Sequence, residues 1–193
     1  MPDYLQYLVF LGAAVQMFGY ASYIKETLKG GTKPNKVSWL MWPLATLIAA
    51  VAGLKAGAGW VVLPVFMSGF GALLVFIASF LNKNSYWKLE IFDYLCGLFS
   101  FLALILWAIT REPIVAIIFA IASDGFASIP TLIKSWKHPE TETVAPYTTG
   151  LFNALTSFAA LRTFGFAEYA FPSYLVFIDT LLILSVWRKR FYK

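Results

Sequence analysis

Seven stretches of mostly apolar residues follow one another along the chain, separated by short polar breaks: Tyr4–Ile24, Val37–Leu54, Trp60–Leu81, Ile91–Thr110, Pro113–Ile133, Val144–Leu161 and Tyr169–Trp187. Each is continuous in its apolar character, with no alternation of period two, so each predicts a helix and a β-barrel is not expected. A helix needs about 20 such residues at 1.5 Å each to cross a bilayer. The pattern therefore predicts seven membrane-spanning helices, the two 18-residue windows crossing steeply.

Composition agrees with the pattern. Hydrophobic residues make up 60% of the 193-residue chain and charged residues 13%, whereas a soluble domain keeps roughly a quarter of its residues charged. With seven crossings, Lys25, Lys29, Lys33, Lys36, Lys83, Lys88, Lys134, Lys137, Arg188, Lys189, Arg190 and Lys193 fall on one side, and only Lys55, Arg111 and Arg162 on the other. Basic residues stay on the cytoplasmic side. This places the N-terminus outside and the C-terminus in the cytoplasm of a plasma or bacterial inner membrane. The formal net charge of +5 is then a topology signal, and nucleic acid is not expected as a partner. Met1–Phe10 has no basic leader region and carries Asp3, so a cleaved signal peptide is not expected. The single Cys96 allows no intrachain disulfide.

The chain repeats itself. At an offset of 106, Gly19-Tyr20-Ala21-Ser22 falls on Gly125-Phe126-Ala127-Ser128. At 107, Val37, Leu44 and Leu54 fall on Val144, Leu151 and Leu161; at 108, Pro64 falls on Pro172 and Leu73-Leu74 on Leu181-Leu182. The drift of one residue at each loop is that of a duplicated three-helix unit. A seventh helix between the units returns the chain to its starting side, so the two copies run parallel about an axis along the membrane normal. The expected fold is all-α, with residues 1–84 as a first triple-helix bundle, 85–111 as a linker helix and 112–193 as a second bundle.

In the second unit Ile129-Pro130-Thr131 stands near the cytoplasmic end of the first helix and Pro146 follows in the next. In the first unit Tyr23-Ile24-Lys25 stands there and Pro43 follows. This 3+1+3 plan resembles the PQ-loop superfamily, which includes SWEET sugar transporters, though neither half has the Gln of the motif. The resemblance implies passage of a small polar solute, such as a sugar or a vitamin-like nucleoside, by alternating access. The residues that grip sugar in SWEETs do not carry over: their Trp positions fall near Ala49 and Thr156, and their Asn positions near Ser68/Gly69 and Phe177. Trp39-Leu40-Met41-Trp42 echoes the Trp-x-x-Trp of bacterial nicotinamide riboside transporters, but its place near the cytoplasmic face reads as a pair of interfacial anchors. Half-size relatives dimerise to form one pathway; this chain holds both halves, so a monomer suffices.

Polar groups at mid-membrane depth mark the candidate site. A carboxylate at the bilayer centre costs about 3 kcal/mol on insertion scales and faces the bundle interior. Asp124, Asn153 and Asp179 lie at similar depth in the fifth, sixth and seventh windows, and Gln16, Thr46 and Ser68 at comparable depth in the first three. Together they read as a substrate-binding belt, with Asp124 or Asp179 able to carry a proton, pair with a cationic solute or accept hydroxyl hydrogen bonds. Interhelical hydrogen bonds average only about 0.6 kcal/mol, a poor reason to hold carboxyls there for adhesion alone. Asp93, near the cytoplasmic end of the fourth window, reads as structural. Pro130, Pro146, Pro43, Gly19 and Gly125 are hinge candidates, since proline removes a helix bond.

Other classes find less support. His138 is the only histidine and sits in a polar loop with Glu140 and Glu142. No second His or Cys completes a metal site there. No catalytic set, phosphate loop or cofactor motif is present, so an enzyme is not expected. A retinal protein needs a Lys in its last helix, and Tyr169–Trp187 has none. The alternative that stands is a membrane receptor binding a small ligand or peptide in the same cavity without passing it.

Overall fold

The computed structural model describes residues 3–110 and 112–191; Arg111 and Lys193, counted in the charge tally above, lie outside them. The described residues form seven α-helices and no strand: α1 (Leu8–Lys29), α2 (Lys36–Lys55), α3 (Val62–Ala78), α4 (Ile91–Thr110), α5 (Pro113–Lys137), α6 (Ala145–Ser157) and α7 (Phe166–Phe191). Five of them, α1, α2, α4, α5 and α7, are long and apolar enough to cross a membrane. The other two are shorter, α3 with 17 residues and α6 with 13. The sixth apolar window is 18 residues long, but its helix stops early. α6 begins at Ala145, has Pro146 in its first turn, and gives way after Ser157 to a 3-10 turn over Phe158–Ala160.

Lipid is the solvent this surface requires. α4 leaves Ile91, Phe92, Leu95, Leu98, Phe99, Leu102, Leu106 and Ile109 exposed, an apolar face no water-soluble helix carries. Inside, α1 packs on α6 and α3, α2 on α3 and α5, and α7 on both α5 and α6; α4 lies outside, against α5. In a bilayer, close approach through small residues replaces the hydrophobic effect as the packing force. The α1–α6 contact shows this: a Cβ at Gly12 would strike Thr156, and one at Gly19 would strike Thr149.

The helix ends are satisfied by local chemistry. α1 ends on Gly30 at φ 85°, a left-handed cap that glycine adopts without strain. Asn35 caps α2 by accepting from the amides of Val37 and Ser38, and its Nδ2 donates to Asp93 Oδ1 at 3.2 Å. Asp93 Oδ2 accepts from the Glu90 amide at 2.7 Å, so this buried acid starts α4 and ties it to α2.

Two of the hinge candidates, Pro43 and Pro130, lie inside helices α2 and α5. Pro146 instead occupies the first turn of α6, where no intrahelical bond is lost, so it does not kink that helix. Gly19 and Gly125 differ in the same way. Gly19 is pressed against α6, while nothing lies closer than 3.8 Å to a Cβ at Gly125.

Gly19→Leu is expected to destabilise the protein by about 1–3 kcal/mol through overpacking, with Gly125→Ala near neutral. Thermal unfolding of both variants in detergent checks the contrast.

Candidate functional site

A cavity of about 50 Å³ lies at the centre of the helices. α1 contributes Gln16 and Tyr20 to its wall, α2 contributes Trp39, Trp42 and Thr46, and α3 contributes Ser68. Asp124 and Ser128 of α5, Tyr147 of α6 and Asp179 of α7 close the ring. Five of the six residues proposed from the sequence therefore meet in one place: Gln16, Thr46, Ser68, Asp124 and Asp179. Asn153 shares their depth but does not line the cavity.

Asn153 is fully buried behind Gln16. Its Nδ2 donates to Gln16 Oε1 and, at 3.0 Å, to the carbonyl of Pro64. Gln16 Nε2 donates in turn to Ser68 Oγ at 2.9 Å and reaches the Tyr20 hydroxyl at 3.3 Å; the latter donates to the Ser68 carbonyl at 2.9 Å. Asn153 thus sets the orientation of the Gln16 amide and joins α6 to α1 and α3.

The two carboxyls have different surroundings. Asp124 Oδ1 accepts from the Tyr174 hydroxyl at 2.7 Å and from Ser128 Oγ at 3.4 Å. Trp42 Nε1 donates to Ser128 Oγ at 2.9 Å. Asp179 lies over Gly150, where a Cβ would stand 2.7 Å from its Oδ2. Only glycine at 150 leaves room for that carboxyl at the cavity edge.

Trp39 and Trp42 are not interfacial anchors: they are 1% and 8% exposed and face the interior. Their edges meet at 4.9 Å between centroids, in a T-shaped pair that continues to Tyr23 on one side and Tyr147 on the other. What brings them in is a pair of acceptors for the indole N–H groups, Ser128 for Trp42 and Tyr23 for Trp39.

Beyond these rings, toward the basic end of the bundle, a second polar cluster shuts the cavity. Lys134 Nζ sits 2.7 Å from Glu142 Oε1, with side-chain exposures of 1% and 0%. The Tyr23 hydroxyl lies 2.9 and 3.1 Å from the two Glu142 oxygens, and the Tyr147 hydroxyl donates to Oε2 at 3.1 Å. Lys134 also donates to the carbonyls of Lys33 and Thr141 and lies over the Trp87 ring. The cluster joins α1, α2 and the loop between them to α5, α6 and theirs, and the Lys33 amide donates to Thr141 O across the same seam. Just above it, Ser38 Oγ donates to Ala127 O at 2.5 Å and Thr131 Oγ1 donates to Ser38 Oγ at 2.8 Å, fastening α2 to α5.

Sequence reasoning missed this cluster. Lys134 read as one of many basic loop residues and Glu142 as a loop acid beside His138. In the structure His138 and Glu140 stay exposed at 3.5 Å, while Glu142 turns inward. Toward the other ends of α2, α3, α5 and α7, the buried residues Ala49, Ala50, Val65, Ile117 and Phe171 surround a second, smaller cavity that also has Glu168 in its wall.

Among the described residues, no group of three His, Cys, Asp or Glu side chains is placed to hold a metal ion. Comparison with protein-family models, curated proteins and solved structures finds no match to this chain.

A buried ion pair is costly to break from one side, because the remaining charge is left without a partner. Lys134→Met is expected to cost about 3–5 kcal/mol, and Lys134→Met with Glu142→Gln to cost much less than the two single changes summed. A double-mutant cycle by thermal unfolding measures the coupling.

Proposed function

We propose that this chain is a membrane carrier of a small polar solute, working by alternating access through the central cavity. In this reading all seven helices cross the membrane, α3 and α6 included. α1–α3 and α5–α7 form two parallel triple-helix bundles, α4 links them, and the basic end faces the cytoplasm. The helix neighbours support the duplication. Exchanging α1, α2 and α3 for α5, α6 and α7 turns the α1–α6 contact into α5–α2, α1–α3 into α5–α7, and α2–α3 into α6–α7, all of which are present.

The observation that carries the reading is a polar cavity lined by residues of both halves, with a different kind of contact between the halves on either side of it. The seam at the basic end is held by side-chain hydrogen bonds between the halves, and such bonds can exchange for water when the halves part. The opposite side is mostly apolar, with Ala49, Ala50, Val65, Ile117 and Phe171. A closure that can open on one side while the other stays shut is what alternating access requires. Pro43 and Pro130 lie in α2 and α5, the helices joined at the basic end. Membrane helices accommodate interior prolines where neighbouring groups recover the freed backbone groups. One residue past Phe126, whose carbonyl Pro130 leaves free, Ser38 Oγ donates to Ala127 O.

Asp124 and Asp179 contact the solute or a coupling proton, while Gln16, Thr46 and Ser68 supply neutral hydrogen bonds and Asn153 holds Gln16 in place. The cavity of about 50 Å³ has room for about three to five water molecules.

Proteoliposomes offered labelled sugars, amino acids, nucleosides and amines at acidic and neutral pH test the proposal. One class is expected to enter saturably, with Asp124→Asn reducing uptake by about tenfold or more and removing its pH dependence. Folded protein that moves none of these solutes contradicts the carrier reading.

A further inference from the structure

Resting on that carrier reading, we infer that the cavity is built for a small organic monocation, an amine or quaternary ammonium, held between carboxylate and aromatic faces. The lining has two acids and no Lys, Arg or His. The nearest buried cation, Lys134, is already engaged by Glu142 and two backbone carbonyls, so it lends no charge to the cavity. An ionised carboxylate far from water is costly without a positive partner. The wall around it supplies none, so the partner comes with the ligand.

The two acids are not equivalent. Asp124 is held by Tyr174 and Ser128. Asp179 packs closely over Gly150 and accepts no hydrogen bond among the described residues. Asp179 therefore keeps its oxygens for an incoming group, and Asp124, seated by the Tyr174 hydroxyl at 2.7 Å, supplies a second negative centre.

The remainder of the lining selects what carries the charge. Tyr20, Trp39, Trp42 and Tyr147 all face the cavity, with Trp39 and Trp42 edge to face and Trp42 and Tyr147 likewise. Aromatic faces attract ammonium groups by about 0.5–2 kcal/mol, more as water is excluded. They give a bare metal ion no oxygen ligands, and they leave a sugar's many hydroxyls short of partners. An organic cation with methyl or methylene groups around its charge satisfies both surfaces. Its size follows from the cavity. Room for about three to five waters at about 30 Å³ each gives a ligand of about 100–150 Å³, which is about five to eight non-hydrogen atoms.

Choline and 3,3-dimethylbutan-1-ol have the same shape and differ only in the positive charge. They would be titrated by calorimetry onto the full-length protein in nanodiscs, alongside tetramethylammonium and guanidinium. At least one cation is expected to bind saturably, and in the choline pair the charged member at least about tenfold more tightly than the neutral one. Asp179→Asn is expected to lower cation affinity by about tenfold or more, and Asp124→Asn provides the second variant should the first not fold. Equal binding of choline and its neutral analogue, or no binding of any of the three cations by the folded wild type, overturns the inference. Labelled flux separates it from the carrier reading. Cation binding without flux would refute the carrier alone, whereas flux of a neutral solute unaffected by all three cations would refute the cation site alone.

Discussion

Polar groups inside this molecule are driven to find partners within the chain, because a lipid surrounding offers none; among the described residues Thr27 Oγ1, Ser135 Oγ, Asn153 Oδ1 and Ser157 Oγ are the buried exceptions. That constraint organises the structure more than any single contact. The Lys134–Glu142 pair is its most demanding case: a buried cation with three acceptors, Lys33 O, Thr141 O and Glu142 Oε1, and a buried carboxylate receiving Lys134, Tyr23 and Tyr147. Removing Lys134 or Glu142 leaves the other's charge without its counter-ion, so the pair is costly to break from one side. The cluster spans both halves of the chain, and it therefore fixes how the halves meet at the basic end.

The same constraint gives the cavity its character. Gln16, Ser68, Tyr20 and Asn153 bond to one another on the side of α1, α3 and α6, with Asn153 Oδ1 alone left without a partner among them. On the side of α5 and α7, Asp124 is served by Tyr174 and Ser128. Asp179 lies between these two networks, seated on Gly150. The proposed preference for positive charge rests on what this wall lacks as much as on what it presents: two carboxyl groups and no Lys, Arg or His.

Much of this was legible in the sequence, and the parts that were not share a cause. Apolar windows locate helices because lipid imposes the same demand on every turn; α4 matches its window, Ile91–Thr110, residue for residue. Depth along a helix locates Asp124 and Asp179 because a carboxyl at mid-membrane is expensive wherever it points. Depth alone does not give rotation about the helix axis, and so Asn153, at the same depth, faces α1 and α3 rather than the cavity. Trp39 and Trp42 lie near a helix end, where an indole serves equally as an anchor or as a cavity wall. Only the acceptors on other helices, Tyr23 and Ser128, decide between the two. Glu142 was least legible of all. It follows a polar loop, and hydropathy places a loop outside the bilayer without saying where its side chains return.

The central claim is that the cavity communicates with the two sides of the membrane in turn, and chemical accessibility tests it without knowledge of the solute. Ser128 lines the cavity and Cys96, the chain's single cysteine, is buried in α4. Ser128→Cys in a Cys96→Ala background would be exposed to a membrane-impermeant thiol reagent added from one side or the other of sealed vesicles. The account predicts modification from both sides, with the cytoplasmic reaction abolished when cysteines at Ser38 and Thr131 are cross-linked to lock the basic end. Modification from one side only, whatever the state of that lock, would contradict it.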